Sequence, residues 1–389
     1  MYNFSEILER KKNNSKKWNE EYIQKRFEGA CKPYYPLFIA DMDYKLPKNI
    51  IENINKFISK GDFGYYDIKD EFKYSIINWY NKTQNLNINK NDIIPTTGAL
   101  TTTYAIINEV VKKDGKAMIF TPVYGPFKDI VLNNGLKLIK EKLEIKNGKY
   151  YINFERVKET VEKENISCIL FCNPHNPSGR IWNENEIKKL LEIAREKDIL
   201  VISDEVHGDL VLYDNKFSSM YALKNIYDKF IVIGSPNKTF NIASLNVGYS
   251  LIPNEEIREK VVNGLNKRKL HVNRVGEEAS NICYNIGFTW VKELIKEIEK
   301  NIEIVTSLLK NVDCNIMIPD AGYLVWVKFN KVKDSLEFSK KLAKETGVLL
   351  ESGSRFVDNY KGYLRINVAT SSKIIREGME KIINYYEKI

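Results

Sequence analysis

Three polar residues stand at the ends of short apolar runs, where a side chain is hard to solvate. Asn173 follows Ile169-Leu170-Phe171-Cys172, and Asp204 follows Leu200-Val201-Ile202-Ser203. Lys238 follows Phe230-Ile231-Val232-Ile233 through the turn Gly234-Ser235-Pro236-Asn237. A carboxylate at the mouth of an apolar strand is costly unless a cation meets it. A lysine held where water is scarce is drawn toward the neutral amine, the form that makes a Schiff base or takes a proton. An asparagine amide both donates and accepts. The three residues lie 31 and 34 positions apart, each about one strand-plus-helix unit, so one bound ring can touch all of them.

The elements that must position them follow from periodicity. Apolar runs at 117–120, 169–172, 200–203, 230–233 and 247–252 read as strands, with helical patterns such as 184–197 between several of them. That alternation predicts an α/β fold: a mostly parallel sheet covered on both faces, with ligands at the carboxyl ends of the strands. A long helix is expected over 291–309, followed by strands at 323–329 and 363–368 and helices at 336–346 and 374–386. The tail therefore reads as a smaller α+β domain. The expected division is an N-terminal segment, 1–48, packing with that small domain; a large domain, 49–285; and the small C-terminal domain, 286–389. Asn3 and Glu6 have the spacing of a capping box for a short first helix. Residues 31–47, punctuated by Pro33, Pro36 and Pro47, read as loop.

Composition excludes several classes of function. The chain has 389 residues, 43% of them hydrophobic, so it is not a disordered chain. No apolar stretch is long enough for a transmembrane helix, and the N-terminus lacks the apolar core of a signal peptide. The net charge of +9 is spread among lysines along the chain rather than blocked, so neither nucleic acid nor a membrane is an expected partner. Five cysteines without a CxxC argue against a disulfide framework or a zinc site and fit a reducing cytoplasm; three histidines make a multi-histidine metal site improbable.

Taken singly, each residue has a plainer reading. Lys238 is then a surface lysine, Asp204 a helix cap, Arg365 half of an ion pair, His207 a core histidine, and Tyr65 and Tyr124 packing aromatics. Together and in order, the phrases Ala40-Asp41-Met42-Asp43-Tyr44, Gly64-Tyr65, Asn173-Pro174-His175-Asn176-Pro177, Ser203-Asp204-Glu205-Val206-His207 and Lys238-Thr239-Phe240-Asn241-Ile242-Ala243 resemble fold-type I enzymes that use pyridoxal 5′-phosphate. The likeness spans nearly the whole chain. Within that superfamily it is greatest to the cystathionine β-lyase/C–S lyase branch of the class II aminotransferase group.

The resemblance implies roles, residue by residue. Lys238 would carry the cofactor as a Schiff base and then remove the substrate's Cα proton. Asp204 would pair with the pyridine nitrogen, preserving the electron sink. Asn173 would bond the ring's phenolic oxygen, and Tyr124 would stack on the ring. Thr97-Gly98-Ala99-Leu100 would open a helix running to about Lys113, the N–H groups of Ala99 and Leu100 holding the phosphate with help from Ser235 and Asn237. Tyr65 would reach the phosphate of a neighbouring subunit, and Arg365 would fork the substrate carboxylate. His207, grouped with the cofactor contacts, stands where the wider pattern has tyrosine, as is typical of the lyase branch. Asn246 stands where a phosphate-binding arginine is common, and Ser244 where glycine is common.

The implied protein is a homodimer with shared active sites that performs β-elimination on cysteine S-conjugates, giving thiol, pyruvate and ammonia. An aminotransferase is the alternative within enzymes. A regulatory or interaction protein on the same scaffold is the alternative outside them, and such a protein need not keep Lys238.

Overall fold

The computed structural model describes residues 2–389. Its centre is a seven-stranded sheet in the order Ile93–Thr96, Gly248–Leu251, Phe230–Gly234, Leu200–Asp204, Cys168–Cys172, Lys116–Thr121, Lys137–Lys142. Gly248–Leu251 runs antiparallel to both neighbours, and the other pairings are parallel. The three central strands are apolar on every residue up to Ser203, because helices cover both faces and neither side of the pleat meets water. The crossover helix Glu184–Glu196 starts on a reciprocal capping box between Asn183 and Glu186 and buries Ile187, Leu190, Leu191 and Ile193 on one stripe.

A five-stranded sheet lies beside it, in the order Tyr35–Leu37, Val348–Ser352, Tyr363–Asn367, Leu324–Phe329, Cys314–Met317. Tyr35–Leu37 falls inside the stretch expected to be loop. It pairs in parallel with Val348–Ser352 at the edge of the sheet, through Tyr35, Pro36 and Leu37 against Val348, Leu349 and Leu350. An edge is the one place where a strand tolerates a proline such as Pro36.

Two other expectations also need correction. No helix begins at Asn3: its side chain accepts hydrogen bonds from the Ser5 N–H and hydroxyl, and the first α-helix is Glu20–Arg26, capped by Asn19. The local capping pattern lost because no amphipathic run follows it. The helix opened by Gly98 ends at Val110 rather than near Lys113, where the chain turns at Gly115 into the next strand. Among the described residues, no helix is long and apolar enough to cross a membrane.

Candidate active site

A cavity of about 550 Å³ opens where the carboxyl ends of the parallel strands face the smaller sheet. Nine of the residues expected at the site line it: Ala99, Leu100, Tyr124, Asp204, His207, Ser235, Asn237, Lys238 and Arg365. Asn173 and Tyr65 do not.

Lys238 is held from two sides. The turn after Phe230–Gly234 sends its side chain into the cavity, where Nζ donates to the Ala40 carbonyl at 2.8 Å. That carbonyl is fixed because the segment carrying it is clamped. Asn241 exchanges two hydrogen bonds with the backbone of Met42, and Asn367 Nδ2 donates to the carbonyl of Asp41. Behind them Asp43 is fully buried, taking Lys17 Nζ at 2.8 Å and Trp18 Nε1 at 2.8 Å. Burial holds the Lys238 amine below its usual pKa, with Asp41 opposing that shift.

Among the described residues Asp204 has no ion-pair partner; its Oδ1 accepts the Val206 N–H at 3.2 Å. Burial pushes its carboxyl up to about 6, and the Val206 N–H and nearby Lys238 pull the other way. His207, buried beside the Tyr323 ring, is pushed down to about 3, first by burial and then by Lys238 and Arg365, so it is neutral near pH 7.

The phosphate end is a backbone cradle. Gly98 adopts φ +67° and no side chain caps Ala99–Val110, so the first N–H groups of that helix are left for an anion. A Cβ on Gly98 would lie 2.5 Å from Asn246 Oδ1, so a glycine is needed for the Asn246 amide to close over the turn. Asn237 Oδ1 is buried without a partner, whereas the Ser235 hydroxyl is already committed, donating to the Val247 carbonyl at 2.8 Å and accepting from the Asn237 N–H. A buried lysine, a carboxylate lacking its cation and an uncapped helix start together fit a ring that carries a protonated nitrogen and a phosphate.

The opposite wall comes from the smaller sheet. Arg365 is buried, donating from Nη1 to Asn176 Oδ1 and from Nη2 to the Phe38 carbonyl, both at 3.0 Å. Its Nε has no partner. Glu351 Oε2 lies 3.9 Å from it, while Oε1 takes Arg26 at 2.5 Å and approaches Arg355 at 3.4 Å. Tyr124 is fixed at the same wall by a bridge to Phe356, and burial raises its hydroxyl pKa.

The placement of Asn173 corrects the sequence reading. Its Oδ1 accepts the Trp182 N–H at 3.1 Å and its Nδ2 donates to the Ser218 carbonyl at 3.2 Å, so both ends of the amide are used inside the protein. The asparagine that faces the cavity is Asn176, the second of the Asn-Pro-His-Asn-Pro run. The repetition of Asn-Pro was the available signal, but the strand end drew attention to the first copy. Glu351, Arg26 and Arg355 carry no local signal at all. Tyr65 is fully exposed on the single chain.

Comparison with known proteins agrees with this geometry. The sequence profile of the family described as aminotransferase class I and II matches residues 35–382. The chain belongs to that family. It is 30% identical to a cystathionine β-lyase of Bacillus subtilis, over 89% of this chain and 91% of that protein. Among solved structures it resembles cystalysin from Treponema denticola, which contains pyridoxal 5′-phosphate, with a TM-score of 0.94 and 29% identity, covering 100% of this chain and 99% of that one. It also resembles a pyridoxal-phosphate-bound C–S lyase of Staphylococcus hominis, with a TM-score of 0.90 and 29% identity over 99% and 98% of the two chains. The architecture is that of fold-type I pyridoxal-phosphate enzymes of this family.

Proposed function

We propose that this protein is a pyridoxal-phosphate-dependent C–S lyase, splitting cysteine S-conjugates such as cystathionine into thiol, pyruvate and ammonia. The observation that carries the reading is one cavity holding both a buried lysine of depressed pKa and a buried carboxylate without a cation. The choice of elimination over transamination is supported by the relatives named as lyases and by His207 at the third position after Asp204.

Bound here, pyridoxal 5′-phosphate supplies the electron sink that makes a carbanion at the substrate's Cα accessible. Lys238 Nζ would hold the group, and the same nitrogen, buried and below its usual pKa, is placed to take the substrate's Cα proton. Asp204 meets the positive charge its burial lacks and keeps the ring nitrogen protonated. Ala99, Leu100 and Asn237 receive the phosphate, and Ser235 orders the Asn237 backbone beneath it. Arg365, with Asn176 steering its fork, takes the substrate's α-carboxylate. His207, neutral and buried, adds no competing charge beside Lys238. Water adds to complete the products: the C–S bond breaks, the thiolate leaves with the bonding pair and gains a proton, and the remaining fragment hydrolyses to pyruvate and ammonia.

The working unit in this reading is a cytoplasmic homodimer. The support is Tyr65, fully exposed on the same loop as the largely exposed Phe63; Tyr65 then serves the partner's phosphate site. Residues 1–48 belong with the small domain, as the pairing of Tyr35–Leu37 suggests, with the large domain at 49–285 and the small one at 286–389.

The reading is tested by incubating the holoenzyme with cystathionine and no keto acid. Pyruvate and free thiol should appear in equal amounts over many turnovers. Turnover that halts after one equivalent of enzyme and resumes on adding a keto acid would identify an aminotransferase instead.

A further inference from the structure

We infer that the outer end of the cavity selects S-conjugates whose S-substituent ends in a carboxylate, through Arg355 and Lys16. The inference rests on the C–S lyase reading and concerns the part of the substrate beyond the sulfur. The cavity's volume of about 550 Å³ falls within the ~300–1,000 Å³ of sites that enclose drug-sized ligands, which leaves room for a substituent beyond cofactor and cysteine.

The charges that line the cavity are unbalanced toward its mouth. Lys238 and Asp204 are committed to the cofactor, and Arg365 is engaged by Asn176, Phe38 and the α-carboxylate. What remains is Lys16, Arg26 and Arg355 around the single carboxylate Glu351. Glu351 Oε1 is spent on the hydrogen bond from Arg26, with Arg355 Nε only within ion-pair reach at 3.4 Å. Among the described residues the Arg355 guanidinium makes no hydrogen bond, and Lys16 makes neither a hydrogen bond nor an ion pair. Both line the cavity.

The position of Arg355 is not accidental to its loop. Its carbonyl lies 2.7 Å from where a Cβ on Gly125 would be, and Val357 N–H donates to Val123 O at 3.0 Å. These contacts fix the Arg355 backbone against the segment that carries Tyr124, and its side chain, 60% exposed, lines the cavity toward solvent. A planar fork with unused N–H groups, in a cavity also lined by an unpaired lysine, is suited to a carboxylate. A distal ammonium gains little there, because Glu351 is nearly buried and already ringed by arginines.

The test compares two near-isosteric substrates on the holoenzyme, S-(2-carboxyethyl)-L-cysteine and its amide, S-(2-carbamoylethyl)-L-cysteine. The acid should have the higher kcat/KM by about tenfold (~1.4 kcal/mol), expressed in KM, and the preference should shrink as salt is raised. Arg355→Gln should bring the ratio toward one by weakening the acid, and Lys16→Gln should lower it part of the way. Calorimetry with the carbon isosteres 2-aminopimelate and its ω-amide, which have no leaving thiolate, reads the same preference as a ratio of Kd. Equal use and equal binding of acid and amide, or a preference unchanged in both variants, would overturn the inference. If neither conjugate released thiol while calorimetry still favoured the acid, the lyase reading would fall and the inference would stand.

Discussion

The two walls of the cavity are built in different ways. On the wall made by the large sheet, each group is placed by the element it belongs to, although Lys238 Nζ also reaches the distant Ala40 carbonyl. Asp204 is the last residue of its strand, Lys238 sits in the turn after the next strand, and Gly98 opens a helix. On the wall made by the smaller sheet, the groups are fixed by partners far away in the chain. Arg365 is held by Asn176 and Phe38, 189 and 327 positions distant, and Glu351 by Arg26, 325 positions distant. In the reading proposed above, the first wall holds a ring and moves a proton, tasks common to a large family. The second decides what is attached to the amino acid. A wall assembled from several segments can change one partner without disturbing the strand ends, and that separates chemistry from choice of substrate.

Substitutions on the two walls should therefore fail differently. The largest effect is expected for Lys238→Ala, which removes both the covalent anchor and the base. Turnover should fall by at least ~10⁴-fold, the upper range for a general base alone. A loss of less than tenfold would leave the lysine without either role. Asp204→Asn should lower kcat by roughly 10³-fold, about 4 kcal/mol of barrier, with little change in KM. Arg365→Lys belongs to the other wall and should raise KM by roughly 10–100-fold, the range for one charged hydrogen bond of about 1.5–3 kcal/mol, with a smaller fall in kcat. If Arg365→Lys mainly lowered kcat, the contrast between the walls would be wrong.

Asp204 offers a sharper form of the comparison in the apoenzyme. Its carboxyl is raised from the ordinary 3.8 to about 6 by burial, so ionising it opposes folding. The penalty is absent below pH 3.8, grows as pH rises, and is complete above about pH 6, at roughly 3 kcal/mol or less. Apo Asp204→Asn should thus melt at a higher temperature than apo wild type at pH 8, the difference vanishing toward pH 4. Binding of the cofactor should reverse the order at pH 8. A variant no more stable than wild type at pH 8 would show that the carboxylate has a partner in the apoenzyme.

The smallest effects separate the two asparagines. Asn176→Ala should weaken substrate binding by about tenfold, since it frees one Arg365 N–H that aims the fork, at a cost in stability of about 1–3 kcal/mol for the buried donor left unpaired. Asn173→Ala should destabilise the fold by about 1–3 kcal/mol, because the Trp182 N–H and the Ser218 carbonyl lose their partner. Equal KM effects from the two would mean that both amides reach the ligand.

That pair also marks where the sequence stops being legible. Asp204 and Lys238 were readable because a polar residue that closes an apolar run advertises itself. Asn173 closes such a run too, and there the same signal misleads, since its amide turns inward to pair the loop back onto the strand. The C-terminal sheet was readable from its alternating elements, but its edge strand Tyr35–Leu37 was hidden by Pro36, which looks like loop until the pairing partner over 300 residues later is known. Glu351 and Arg355 have no pattern of their own. Their meaning arises only when Arg26 and Arg365 are brought beside them, a consequence of tertiary packing that no local window contains.

The central claim is that Lys238 is the covalent anchor of the cofactor. Holoenzyme reduced with borohydride, digested and mapped by mass spectrometry should carry the reduced pyridoxyl group on the peptide containing Lys238, at one group per chain. A pyridoxyl group on any other lysine, or none on Lys238, would contradict the account.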